Sequence, residues 1–223
     1  AESVYGLTEL HREEIPSAKL VAAPGCFPTG AVLALAPAWQ AGIISSDIIV
    51  DSKTGISGAG RSADLINSYS ETNENVLPYG LAGHRHLPEI SQELSRLCES
   101  PAPRITFIPH RIPMTRGILT TCYASLAPGQ ESLSVSAVRD IYRQHYEGEK
   151  FVRYVDTPPG TKETLGSNTC LVHVSLDERN GRLIAISAID NLVKGGAGQG
   201  IQDMNLMLGL PEDAGLEDIA LYP

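Results

Sequence analysis

Cys26 lies in the run Val21-Ala22-Ala23-Pro24-Gly25-Cys26-Phe27-Pro28-Thr29-Gly30, directly ahead of the apolar stretch Ala31 to Trp39. Val32, Leu33, Leu35, Ala36 and Trp39 recur at helical spacing and Pro28 suits a first turn, so the cysteine is expected at a helix N-terminus. There the unpaired backbone N–H groups and the positive end of the macrodipole favour the thiolate, which predicts a lowered pKa. The same N–H groups would hold the oxyanion formed when that sulfur attacks a carbonyl. Gly25 and the flanking prolines make the turn tight and stiff. The competing reading is an inert buried cysteine, since cysteine is among the most buried residue types. Position alone does not separate the two.

His84-Arg85-His86-Leu87-Pro88-Glu89-Ile90 places two imidazoles close together. A histidine tuned near neutrality is the usual partner of a catalytic thiolate, although cysteine and distant histidine also co-occur by chance. A metal there would want further ligands, and only Glu89 offers itself, so no metal is expected. Gly55-x-Ser57-Gly58-Ala59-Gly60-Arg61 reads either as a nest of N–H groups cradling a phosphate with Arg61 or as a flexible connection. It lacks the Lys-Ser/Thr of a P-loop. Arg116 is a clamp for a carboxylate or phosphate, or a solvated turn residue. The run Gly195 to Gly200 has the wrong spacing for a dinucleotide fingerprint. His11, His110, His145 and His173 carry no local constellation and read as structural.

The elements that must position these groups follow from pattern. Asp47–Lys53, Arg104–Ile112, Gly117–Leu126, Thr169–Leu176 and Arg182–Ile189 read as strands, the last two as a hairpin around Glu178-Arg179-Asn180-Gly181. Helices are expected over Leu87–Leu97, Val135–Tyr146 (capped by Ser134 or Ser132) and Gly198–Leu208, with an irregular tail from Pro211. Strands in neighbouring pairs with helices between them argue an α+β fold with a mixed sheet and flanking helices. One face should pack on helices and the other against a second subunit, because Leu171, His173 and Ser175 alternate with the more apolar Val172, Val174 and Leu176.

The 223 residues are 42% hydrophobic with a formal charge of −9, enough for a real core and opposed to nucleic-acid binding. No run is long and apolar enough for a membrane span, and the first residues do not read as a signal peptide. Four widely spaced cysteines form neither a zinc pattern nor a disulfide scaffold, so a reducing cytoplasm is the simplest setting.

Taken in order, Val4-Tyr5-Gly6-Leu7-Thr8-Glu9-Leu10, Pro24 to Gly30, Ser57 to Arg61, His84-Arg85-His86-x-Pro88-Glu89-Ile90, Pro113-Met114-x-Arg116-Gly117-Ile118, Gly166-Ser167-Asn168 and Ala188 to Gln199 resemble the N-acetyl-γ-glutamyl-phosphate reductases of the semialdehyde dehydrogenase group. The resemblance spans nearly the whole chain but lacks the family's N-terminal dinucleotide-binding domain. It therefore implies that residues 1–223 are a catalytic and dimerisation domain, like the C-terminal domain of glyceraldehyde-3-phosphate dehydrogenase, in a homo-oligomer. It implies a small acyl-phosphate substrate reduced through a Cys26 thioester in arginine biosynthesis, with NADPH held mainly by the absent domain and the isolated chain inactive. By the same resemblance His84 is the acid/base, with His86 as fallback; Ser57, Gly58 and Arg61 hold phosphate, Arg116 a substrate carboxylate, and Asn191 the nicotinamide carboxamide. Aspartate-semialdehyde dehydrogenase shares the chemistry, but the His-Arg-His-x-Pro-Glu-Ile run argues against it. A purely dimerising module and a cofactor-free thiol hydrolase are the other readings.

Overall fold

The computed structural model describes residues 3–98 and 102–222. In chain order the elements are β1 (Val4–Tyr5), α1 (Thr8–His11), β2 (Val21–Ala22), α2 (Cys26–Gln40), β3 (Ile44–Thr54), α3 (Tyr69–Thr72), β4 (Leu77–Pro78), α4 (Leu87–Leu97), β5 (Arg104–Arg111), β6 (Ile118–Leu126), α5 (Val135–His145), β7 (Val152–Tyr154), β8 (Cys170–Asp177), β9 (Arg182–Ile189) and α6 (Gly198–Met207). β1 and β2 pair with each other, and the remaining strands form one seven-stranded sheet ordered β4-β5-β3-β6-β9-β8-β7. The β3–β5 and β7–β8 pairs are parallel and the rest antiparallel, so the sheet is mixed, as the sequence predicts. Ser134 caps α5, its hydroxyl accepting the Ala137 N–H at 3.2 Å.

One sheet face is dry. Ile48, Val50, Cys122, Ala124, Leu183, Ala185, Val172 and Val174 alternate onto it and meet α2, which is flanked by α4 and α5. Because α2 is covered on several sides, every residue from Phe27 to Trp39 is buried, which explains its apolar character all round. The opposite face carries Ile49, Tyr123, Ile184 and Ile186 partly exposed, together with the charged Asp51 and Lys53. His173 read as structural, and the fold gives it a structural place. Its ring is buried, stacked near Tyr154, and its Nδ1 donates to the Val155 carbonyl at 2.9 Å. Strand β7, not anticipated from the pattern, extends the sheet over that position.

Two features set where α2 begins. Gly30 lies directly over the sheet; a Cβ there would come within 3.0 Å of Ser187 Oγ and 3.4 Å of Thr120 Oγ1. The helix therefore approaches closely at its start, over a small polar patch in which Ser187 donates to the Gly30 carbonyl and Ser52 pairs with Thr120. Further along, Pro37 has no N–H to give to the carbonyl of Leu33 four residues back. Tyr146 donates its hydroxyl to that carbonyl, and Tyr142 donates to the neighbouring Ala34 carbonyl at 2.8 Å. Two buried tyrosines from the α5 region thus complete a helix that its own sequence interrupts. Tyr146→Phe keeps the shape but leaves a buried acceptor unpaired, so urea unfolding should show a loss of about 1–3 kcal/mol. A loss below about 0.5 kcal/mol would show that water replaces the hydroxyl.

Candidate active site

Cys26 is the first residue of α2, with Gly25 as its N-cap. The Gly25 N–H donates to Glu89 Oε2 at 2.9 Å, and the Tyr5 hydroxyl donates to the same oxygen at 2.9 Å. One carboxylate from α4 thereby holds the residue preceding the cysteine. From the other side comes the turn Val193–Ala197, a single π-helical turn with a kink at Gly196. Gly195 is pressed on the cysteine: a Cβ there would lie 2.9 Å from Cys26 Cβ and 3.3 Å from its Cα. Gly25 is equally close to His86, whose Nε2 would lie 2.6 Å from an added Cβ. Gly195, at the start of the glycine-rich run, is therefore a steric seat for Cys26.

The backbone groups of Phe27 and of Cys26 itself act to lower the thiol pKa, as the helix-terminus argument requires. The lowered pKa does not follow. Burial pushes the thiol up and outweighs those backbone groups and the Arg85 charge, with Glu89 adding to the rise. The helix terminus is present, but little water reaches the sulfur to help it ionise.

His84 and His86 pack around Phe27, their ring centroids 5.6 and 5.8 Å from its own and 4.9 Å from each other. Burial, then the neighbouring His84 and Arg85, pushes His86 down to about 4, so it is neutral at physiological pH. Burial and then Arg85 also lower His84. The Nδ1 of His84 accepts the His86 backbone N–H at 3.1 Å, which assigns its hydrogen to Nε2. Glu89, which would be the third ligand of a metal here, is instead committed to Gly25 and Tyr5.

Cys26, His84, His86 and Gly58 line one cavity of about 240 Å³, together with Tyr79, Arg85 and Arg111. The other expected residues are placed differently. In the loop after β3, the N–H groups of Gly55, Ile56, Ser57, Gly58 and Gly60 all donate to nearby carbonyls. Those N–H groups are engaged within the fold. Arg61 is exposed on that loop and does not line the cavity. Ser57 shares its hydroxyl with Asn191, 3.0 Å from Nδ2, and Asn191 Oδ1 accepts the Gly117 N–H at 2.7 Å. Asn191 is 3% exposed, so its side chain ties three segments together and is not held out toward a ligand. Arg116 lies outside the cavity, paired with the fully buried Asp190 at 2.9 Å. Tyr79 and Arg111 gave no sequence signal: only the pairing of β4 with β5, Pro78 against His110, brings them beside Cys26. Glu89 stood inside the His-Arg-His run, and only its reach to Gly25 reveals its role.

The chain belongs to the semialdehyde dehydrogenase, dimerisation domain family, whose pattern matches residues 26–191. Among solved structures it is similar to aspartate semialdehyde dehydrogenase II from Vibrio cholerae, with a TM-score of 0.72 at 19% identity over 93% of this chain and 68% of that one. An aspartate semialdehyde dehydrogenase from Francisella tularensis gives 0.65 at 16% identity, over 92% and 71%. At such identities the likeness shows the fold, a mixed sheet with flanking helices. Nearer in sequence are proteins named N-acetyl-γ-glutamyl-phosphate reductase. The one from Dehalococcoides mccartyi is 50% identical over 223 residues, all of this chain and 64% of the relative. That from Heliobacterium modesticaldum is 50% identical over 228 residues, covering 65% of its length. The chain thus spans about two thirds of the curated relatives it matches.

The raised thiol pKa fixes a pH dependence. A thiol held above its ordinary 9.0 is almost wholly protonated at pH 7 and ionises only as pH climbs past 9. Iodoacetamide should therefore label Cys26 at a rate that keeps rising above pH 9, yet ahead of the buried Cys122 and Cys170, the latter pushed up to about 12 by burial. A labelling rate that levels off below pH 8 would contradict this.

Proposed function

We propose that residues 1–223 are the catalytic and dimerisation portion of an N-acetyl-γ-glutamyl-phosphate reductase. The observation that carries the reading is a cysteine at a helix N-terminus in a cavity shared with two histidines. Relatives of that name at 50% identity support the substrate class.

In this reading the Cys26 thiol gives its proton to His84 as the sulfur attacks the γ-carbonyl carbon of the acyl phosphate. The new carbon–sulfur bond forms, the charge moves to the carbonyl oxygen, and collapse breaks the carbon–oxygen bond to release phosphate and leave a thioester. The N–H groups of Cys26 and Phe27 stabilise that oxygen. The hydride that reduces the thioester comes from NADPH, held mainly by the part of the full-length protein beyond this chain. Within the chain, the side chain of Asn191 is already engaged and the Gly195 turn is packed on Cys26, so neither forms a dinucleotide cradle. Hydride addition leaves an oxyanion on the former carbonyl carbon, and the His84 imidazolium, carrying the proton taken from Cys26, is the group assigned to protonate it. Expulsion of sulfur and loss of the O–H proton then give the semialdehyde. The departing phosphate sits against the Ser57–Arg61 loop, which contributes Gly58 to the cavity wall.

The half-exposed sheet face bearing Ile49, Tyr123, Ile184 and Ile186 is the proposed subunit contact, in a cytoplasmic homo-oligomer. Among the described residues no helix is long and apolar enough to cross a membrane.

In the full-length protein, Cys26→Ser should lose essentially all NADPH-dependent reduction of the acyl phosphate while circular dichroism is unchanged. His84→Asn should lower the rate by about 10²–10⁴. Near-normal turnover with His84→Asn and none with His86→Asn would exchange the two roles, and substantial activity in Cys26→Ser would remove the thioester mechanism. For the oligomer, sedimentation at micromolar concentration should give at least a dimer, and Ile49→Lys should shift it toward monomer. A monomeric parent protein would refute that contact.

A further inference from the structure

The cavity beside Cys26 holds two guanidinium groups and no carboxylate: Arg85 and Arg111 line it, and neither forms an ion pair among the described residues. Several cations elsewhere in this net-negative chain meet carboxylates. Arg12 bridges Glu149 and Glu212, Arg116 meets Asp190, Arg143 meets Asp140 and Asp156, and Lys194 meets Glu9. Two cations left without partners in one concavity mark an anion site.

The two arginines differ in reach. Arg85 is carried between His84 and His86, whose rings pack on Phe27 next to Cys26, so Arg85 serves whatever is bonded to the reacting carbonyl. Arg111, at the end of β5, lies over Tyr79, its guanidinium carbon 5.7 Å from the ring centroid. One of its nitrogens is anchored, Nη1 donating to the Ile66 carbonyl at 2.7 Å. That tether fixes the plane of the fork while leaving other N–H groups for a ligand. Arg116, to which the sequence assigned a substrate carboxylate, is already neutralised by Asp190.

We propose that Arg111 binds the carboxylate at the end of the substrate remote from its acyl phosphate, and so selects an N-acylated amino-acid phosphate over a simple acyl phosphate. The assignment rests on the acyl-phosphate reading above. A cavity of about 240 Å³ suits a compact substrate spanning from Cys26 to Arg111.

The test runs the full-length protein in the oxidative direction, with NADP and phosphate, on two aldehydes. N-acetylglutamate 5-semialdehyde carries the carboxylate; 4-acetamidobutanal is the same molecule without it. The parent protein should prefer the first by about 100-fold or more in kcat/KM, the scale of a desolvated charge pair. Arg111→Met should bring the two within about 3-fold by lowering only the first, with KM for phosphate unchanged. A retained preference, or its loss in Arg85→Met but not in Arg111→Met, would overturn the assignment. Should Arg111→Met fail to fold, Arg111→Lys is read instead. A preference cut by about 10-fold is then expected, because an ammonium cannot match the carboxylate fork, and an unchanged preference overturns the proposal. No turnover of either aldehyde by the parent protein would overturn the reductase reading and this assignment with it, a result distinct from the others.

Discussion

The carboxylate of Asp190 is fully buried at the end of β9, and the site is organised around it. Its Oδ1 accepts the N–H groups of Leu192 and Val193 at 2.8 and 3.3 Å, which starts the π-helical turn. Its Oδ2 accepts the Gly166 N–H at 2.8 Å and the Arg116 guanidinium at 2.9 Å. A buried carboxylate is tolerable only when its lone pairs are met, and here four donors from three chain segments meet them. The next residue, Asn191, extends the same clamp to Gly117 and Ser57. Removing the Asp190 charge would therefore release the turn that carries Gly195, and with it the contact that seats Cys26.

Steric constraint completes what the hydrogen bonds begin. Gly25, Gly30 and Gly195 each occupy a place where a Cβ would come within 3.0 Å of a neighbour: a histidine ring, a serine hydroxyl and Cys26 itself. None of the three has a positive φ, so what they provide is close approach and not an unusual backbone angle. The close packing has an electrostatic consequence. A sulfur so well enclosed is poorly hydrated, and its pKa rises despite the helix terminus. A raised thiol pKa at a helix N-terminus is thus the consequence of close packing.

The sequence was legible where the determinants are local. The hairpin around Asn180-Gly181, the Ser134 cap and the strands β3, β5, β6, β8 and β9 follow from alternation and turn chemistry, within a few residues at their ends. The Cys26 helix was readable too, although Pro37 argues locally against its continuing. What was illegible depends on distant partners. Tyr142 and Tyr146 rescue the helix from more than 100 residues away, and β7 buries His173 by pairing with β8. Arg116 read as a binding residue because an arginine in a turn says nothing about a buried aspartate 74 positions further on. Glu89 and Arg111 were hidden for the same reason in reverse: their surroundings are assembled only when α4 and β5 come to lie beside α2.

A chain with a formal charge of −9 is an unlikely host for an anionic substrate if net charge decides, but it does not. At physiological ionic strength exposed charges are screened over roughly 8 Å, so the field inside a cavity is set by the groups that line it. Those groups here are Arg85, Arg111, neutral imidazoles and backbone N–H donors, with no acidic side chain among them. The carboxylates are occupied elsewhere. Glu9, 1% exposed in its side chain, is held below its ordinary pKa against burial by Lys194, and Glu149 and Glu212 are bound by Arg12. These ion pairs join α1 to the Gly195 turn, and the N-terminal segment to the tail, without adding negative charge at the cavity. Segregation of charge, with acids neutralised in the scaffold and cations left open at the cleft, is what lets an acidic protein present a locally positive site.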